Sequence, residues 1–379
     1  LYFARLPLKK SPTIVHDNAL RVDWNAVLDR SKCSYILGNP PFVGKKEQID
    51  RQKEDMDLVW GDHPGAGVLD YVTCWYKKAA EYISGTSIRV GFVSTNSISQ
   101  GEQVGVLWGK LFTYGIKIHF AHTTFAWESE ASGKAHVHVV VIGFGASDAS
   151  KKTLFEYDTP KTEAHAVQAK NINPYLADAP DVLVTKRTKP ISSAPEILYG
   201  SMMIDKARTA DEDEGLIITD EERKKLLAES PTLKGHIRKL LGGEEFINGT
   251  YRWCLWLVDA PPELLRESPL LRARLEKVRK FRQDSGRAQT QKLAATPALF
   301  GEIRQPSSRY LLIPKVSSET RRYIPVGFVE PAVIASGSAL IVPGATLYDF
   351  GVISSAMHNT WMRYVGGRMK SDYQYSNQI

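Results

Sequence analysis

Apolar residues in the first part of the chain fall into short runs closed by polar or turn-forming residues. Ile14-Val15-His16 and Tyr35-Ile36-Leu37-Gly38 have the length and closure of buried parallel strands. Between positions 69 and 83 the spacing changes. Leu69, Val72, Trp75 or Tyr76, Ala79 and Ile83 recur every three to four residues, which predicts one buried face of a helix. A run from Ser87 to Val93 ends in Ser94-Thr95-Asn96-Ser97, and His119-Phe120-Ala121 and Val137 to Phe144 supply two further strands. Strands alternating with helices predict an α/β domain with a largely parallel sheet. Ligands of such sheets bind beyond the carboxyl ends of the strands, so His16-Asp17-Asn18, Gly38-Asn39-Pro40 and Ser94-Thr95-Asn96 are expected on one rim.

After about Asp148 this rhythm gives way to prolines, short mixed strands and charged helices. The change of texture divides the chain into residues 1–155 and 156–379, the second part being a mixed α+β domain. A length of 379 residues fits two domains. A 43% hydrophobic content excludes a wholly disordered chain. Cys33, Cys74 and Cys254 are too widely spaced for a disulfide framework or a C-x-x-C metal knuckle and read as packed thiols in a reducing compartment. No apolar run approaches the roughly 18 residues of a membrane span, and no secretory signal opens the chain. The expectation is a cytoplasmic protein with no membrane partner. Leu1-Tyr2-Phe3 and Tyr375-Ser376-Asn377-Gln378-Ile379 both read as internal positions of a longer protein.

The net charge of +7 is unevenly placed, because residues 263–325 carry 14 basic and six acidic side chains. Such an excess suits contact with phosphates, which releases counterions and makes binding salt-dependent. Leu270 to Arg282 is its richest stretch, with Arg279 and Arg282 as candidates; Arg287 and Lys292 come next in a polar stretch that reads as a loop. The bland reading of the same run is a solvated helix face.

One motif carries chemistry. Asn39-Pro40-Pro41-Phe42 directly follows the strand Tyr35 to Gly38. An exocyclic amine on a nucleobase is a poor nucleophile because its lone pair is delocalised into the ring. Asn39 Oδ1 and the Pro40 carbonyl can both accept hydrogen bonds from such an NH2, drawing the nitrogen towards pyramidal geometry. The two prolines fix the backbone and present no competing N–H. Phe42 offers a flat face to a base taken out of its stack. Catalysis is then positioning and electrostatics, with no strong general base. The structural alternative is a rigid Pro-Pro turn closing a strand.

With these residues the chain resembles the amino-group DNA methyltransferases that use S-adenosylmethionine, and the Asn form of the motif implies adenine N6 as the target. The resemblance implies a class I (Rossmann-like) methyltransferase sheet, here without its first strand or strands. It also implies that Ile14 to Trp24 holds the cofactor's adenine through Asn18 or Asp17, beside Ala19. Phe125-Ala126-Trp127 before Val137 to Val141 resembles the aromatic hairpin that helps hold a flipped base, so Phe42, Phe125 and Trp127 are candidate base-stacking residues. Phe125 to Phe144, Ile313 to Phe328 and Met369-Lys370-Ser371-Asp372-Tyr373 resemble the MmeI-like group, restriction–modification enzymes that join nuclease, methyltransferase and target-recognition domains. Double-stranded DNA is the partner this implies. The family's Gly-rich cofactor turn has no counterpart in Leu1 to Ser11, and the lone G-x-G at Gly143 to Gly145 ends a late strand. The isolated segment is therefore expected to bind cofactor poorly or not at all and to turn over only with the upstream part of its parent.

In the second domain, Ser317 to Pro325 includes Glu319, Arg321 and Arg322. On an extended chain Glu319 and Arg321 would project from one face. Arg pairs with guanine O6 and N7 and Glu accepts from cytosine N4, so the pair could read one G·C base pair; a surface strand with an ion pair is the alternative. His136 and His138 alternate but lack a third ligand, so no metal is expected, and Tyr251 to Trp256 reads as a core strand. Ser94 to Ser99 has no G-x-S-x-G elbow, which argues against a hydrolase. Two other functions stay open: methylation of RNA or of protein glutamine, where N-P-P-aromatic also occurs, and a non-catalytic DNA-specificity module.

Overall fold

The computed structural model describes residues 12–127, 137–187, 189–205, 215–369 and 372–377. Its chain divides into two units, Leu1–Thr185 and Lys186–Ile379. The segment Leu1 to Ser11 and residues Lys370 and Ser371 lie outside the described residues.

The first unit runs α1 (Trp24–Val27), β1 (Tyr35–Gly38), α2 (Asp50–Trp60), α3 (Thr73–Ile83), β2 (Arg89–Thr95), α4 (Glu102–Phe112), β3 (Lys117–Trp127), β4 (Val137–Gly145), β5 (Lys152–Glu156) and β6 (His165–Ala169). The strands form one sheet in the order β1-β2-β4-β3-β5-β6. β1 pairs parallel with β2, and β4 lies antiparallel between β2 and β3. β3 therefore points the same way as β1 and β2, and β5 is parallel to it. The sheet is mixed rather than largely parallel, because β4 returns along β3 as its antiparallel neighbour.

The α3 face forms as its spacing indicates from Tyr76 to Ile83, whereas Leu69 and Val72 pack inward ahead of the helix, which begins at Thr73. Leu69, Val72, Tyr76, Ala79 and Ile83 are all fully buried. Tyr76, not Trp75, takes the inward position, packing edge-on to Phe92 at 5.2 Å and stacked on Phe144 at 5.4 Å. Its hydroxyl meets Ser94 Oγ at 2.8 Å, which satisfies the one polar atom in that aromatic core.

One expectation needs correction. Ile14-Val15-His16 is not a strand: Ile14 is 81% exposed, and no described strand pairs with the segment. The chain turns instead at Asn18, whose carbonyl takes the Arg21 and Val22 N–H groups. The first sheet continues past the 155/156 division, since β6 pairs with β5 from Lys152↔Ala169 to Glu156↔His165.

The second unit is mixed α+β. It runs β7 (Leu198–Tyr199), β8 (Ile217–Ile218), α5 (Asp220–Glu229), β9 (Ile237–Leu241), α6 (Gly243–Asn248), β10 (Arg252–Leu255), α7 (Pro262–Glu267), α8 (Pro269–Gln283) and α9 (Ala288–Lys292). It continues with β11 (Tyr310–Pro314), β12 (Val316–Ser317), β13 (Gly327–Val329), β14 (Ile334–Ala335), β15 (Ala339–Pro343), α10 (Leu347–Ser354), α11 (Ala356–Val365), β16 (Gly367–Met369) and β17 (Asp372–Gln374). Its sheets are β14-β9-β10-β8, β13-β11-β15-β7 and β12-β17-β16. Cys254 and Leu255 of β10 are fully buried with Leu271 and Val278 of α8, so Tyr251 to Trp256 does supply a core strand. Among the described residues no helix is long and apolar enough to cross a membrane.

Candidate functional site

At the end of β1, Gly38 lets the backbone lie against a ring: a Cβ there would stand 3.2 Å from Phe92 Cε1. The chain then enters Asn39-Pro40-Pro41-Phe42. Asn39 and Pro41 are exposed, Pro40 is buried and Phe42 half-buried. The stretch leading into α3 holds this loop from behind. Tyr71 N–H donates to the Val43 carbonyl at 3.0 Å, Lys45 N–H to Asp70 Oδ1 at 3.3 Å, and Gln48 Nε2 to the Leu69 carbonyl at 3.2 Å. Asp70, 8% exposed, also accepts from the Ser97 hydroxyl, and Thr95 Oγ1 lies 3.5 Å from it. One carboxylate thus joins the loops that follow β1 and β2, and Asn39 and Thr95 sit on one rim because those strands are parallel.

The turn at Asn18 is tied to the same loop through Asp55, which is 1% exposed in α2. Asp55 accepts from Asn18 Nδ2 (2.9 Å), Arg21 Nε (2.7 Å) and Tyr71 Oη (2.6 Å). Burial alone would raise this carboxyl, but those hydrogen bonds and the Arg21 charge hold it below its ordinary value. Burial, reinforced by the bond to Asp55, pushes the Tyr71 phenol up, so the hydroxyl stays a donor. Tyr71 therefore bonds the Asn39 loop with its backbone and the Asn18 turn, through Asp55, with its side chain. Asn18 Oδ1 accepts from Leu20 N–H at 3.0 Å, while Asp17 and Ala19 are exposed.

β3 ends on the rim reached by β1 and β2, roughly 14 Å along from β1 at three strand spacings. Beyond a register shift between His122 and Phe125, Phe125 stacks on Tyr157 at 5.1 Å. Trp127 lies 6.2 Å from Phe125 and is 45% exposed. Asn39, Phe42, Phe125 and Trp127 are thereby brought to one edge of one sheet. Sequence reasoning missed Asp55, Asp70 and Tyr71. Nothing in the sequence marks Asp55 or Asp70 as buried among the chain's other acidic residues.

In the second unit the candidates separate. Arg282 is fully buried and donates to five backbone carbonyls: Ile204, Leu293, Thr296, Met203 and Leu299, at 2.8–3.1 Å. It cannot reach DNA, which corrects its assignment. Arg274, also buried, pairs with Glu222. The signal was available, since Arg274 and Arg282 follow the apolar spacing of Leu271, Leu275 and Val278. Arg279 faces solvent, 3.6 Å from Glu276, and Arg287 and Lys292 are exposed. The stretch expected as a loop there is partly the helix α9.

Glu319 and Arg321 do not lie on an extended chain. Arg321 N–H donates to the Ser318 carbonyl at 3.1 Å, so residues 318–321 form a turn and the strand argument for a shared face fails. Glu319 pairs with Arg368 at 3.5 Å, and Arg322, exposed, lies 5.5 Å from the Tyr323 ring centre.

Comparisons with known proteins agree with both units. A family model described as MmeI, DNA-methyltransferase domain, matches residues 2–156, and one described as MmeI, target recognition domain, matches residues 178–379. DNA methyltransferase A of Bacillus subtilis (strain 168) is 39% identical over 374 residues, which are 98% of this chain and 41% of that protein. The Type IIL restriction-modification enzyme MmeI, solved in complex with DNA, superposes with a TM-score of 0.90 at 49% identity. The superposition covers 100% of this chain and 50% of that one, so the chain spans about half the length of the relatives it matches.

Proposed function

The chain belongs to the MmeI family, and from that membership we propose that it is the part of a restriction–modification enzyme that recognises a specific double-stranded DNA sequence and methylates adenine N6 within it. The observation that carries this reading is the Asn39-Pro40-Pro41-Phe42 loop on the rim, with Asn39 exposed and the loop pinned through Val43, Lys45 and Gln48.

Asn39 Oδ1 and the Pro40 carbonyl accept the two N–H groups of the target amine and aim its lone pair outward. Phe42 stacks on the flipped base, and Phe125 and Trp127 line the same edge. The amine sheds its proton to water after transfer, so the absence of a strong base from the motif costs little. S-adenosylmethionine supplies the electrophilic methyl group when bound. The residues present fit its adenine. An amide oxygen has two acceptor positions and Leu20 N–H takes one at Asn18 Oδ1, which leaves the other for an adenine amine, with Asp17 and Ala19 exposed beside it. In the second unit, Arg279, Arg287 and Lys292 contact phosphates, and Glu319, Arg321 and Arg322 reach base edges.

The test is methyl transfer from labelled S-adenosylmethionine to unmethylated DNA by the full-length parent, followed by digestion to nucleosides. Label in N6-methyladenine, lost in Asn39→Ala while DNA affinity stays within about threefold, supports the reading; truncating Asn39 alone should cost at least about 100-fold in rate. Label on RNA or protein with none on DNA would sink it.

A further inference from the structure

The turn carrying Glu319 and Arg321 is gripped by a helix. After β12 the chain leaves its pairing with β17 and enters the 318–321 turn. Two side chains one helical turn apart on α11 hold the backbone from Arg321 to Ile324. Arg363 Nη2 donates to the Arg321 carbonyl at 3.0 Å and to the Arg322 carbonyl at 2.6 Å. Asn359 Oδ1 accepts the Ile324 N–H at 2.8 Å. Asn359 is 3% exposed, and its Nδ2 donates to the Ser355 carbonyl at 2.9 Å, so its amide is fixed at both ends. On the other side Arg368, 3.5 Å from Glu319, lies 4.3 Å from the Tyr373 ring centre.

This arrangement constrains the backbone more than the side chains. Rotating the peptide between Arg321 and Arg322 would break a bond to Arg363, and displacing Ile324 would orphan a buried Asn359. Reading a base edge bidentately requires the side chain's root to be placed within about 0.5 Å and 10–20°, which a four-residue turn does not supply by itself.

We propose that Arg363 and Asn359 are positioning residues for sequence discrimination, fixing the backbone from which Arg321 reaches the base pair it reads with Glu319. The inference rests on the reading of Glu319 and Arg321 as base-contacting residues. It makes α11 part of the specificity apparatus through the backbone of its neighbour.

The experiment maps methylated sites on a DNA library with every position of the target varied, using the full-length parent. Arg321→Ala should relax one base pair. Arg363→Met should relax the same pair, lowering discrimination there about tenfold while other positions stay as selective as in the wild type. Arg363→Lys, which can still donate to one carbonyl, should retain more selectivity than Arg363→Met. Should Arg363→Met not fold, Asn359→Ser read in the same library carries the test. Relaxation by Arg321→Ala with full selectivity in the α11 variants overturns the inference, as does a uniform loss across all positions. Unchanged selectivity in Arg321→Ala would overturn the base-contact reading itself.

Discussion

Two arginines three positions apart on α8 illustrate how much a single side chain's setting decides. Arg279 faces water beside Glu276, whereas Arg282 spends its guanidinium on five carbonyls inside the second unit. Removing a buried charged donor of that kind leaves acceptors unpaired, at a cost of about 3–5 kcal/mol. Arg282→Met should therefore lower the denaturation midpoint sharply. Measured where the variant is still folded, its DNA affinity should show an unchanged dependence on salt. Arg279→Ala, Arg287→Ala and Lys292→Ala should do the opposite, leaving stability within about 0.5 kcal/mol while each flattens the slope of log affinity against log salt by about 1. Equal salt slopes for all four variants would remove phosphate contact from this face.

Among the elements, the loops after β1 and β2 behave as one structure because Asp70 bonds both. Asp70→Ala should remove one of the three bonds that back the Asn39 loop and untie it from the loop after β2, while leaving β1 and β2 paired. Turnover is expected to fall about 100-fold, since a displacement near 1 Å at a reacting centre has that effect. Cofactor and DNA affinities should stay within about threefold; a parallel loss of both would show a folding defect instead. Much of this part was legible in the sequence. The Asn39-Pro40-Pro41-Phe42 motif, the α3 face and β4 are local patterns, and periodicity and proline chemistry act locally. The hidden features were non-local. The antiparallel insertion of β4 between β2 and β3 depends on strand order, which no run of residues records. Ile14 to His16 has the composition of a strand but no pairing partner among the described residues, and the Glu319–Arg321 alternation suits an extended chain where a turn forms.

At the scale of the whole molecule, the two units share a response to acid although each has its own core. Burial lowers the imidazoles of His63 and His122 in the first unit and His358 in the second below their ordinary value of 6.5, with the Lys110 and Lys77 charges adding to the effect at His63. His122 lies stacked on Phe155 at 4.2 Å, and His358 Nε2 meets the hydroxyl of the buried Tyr375 at 2.6 Å. A histidine whose folded value lies below its unfolded one takes up its proton more readily when the chain unfolds. Its contribution is fully present above about pH 6.5 and is lost as pH falls through the folded value. Both units should thus lose stability on acidification from about pH 7, before carboxylates such as Asp55 are reached. His358→Gln keeps an acceptor for Tyr375 without the titration, so its unfolding midpoint should vary less with pH between 7 and 5 than the wild type's. An unaltered pH dependence in that variant would assign the acid response of the second unit to other groups.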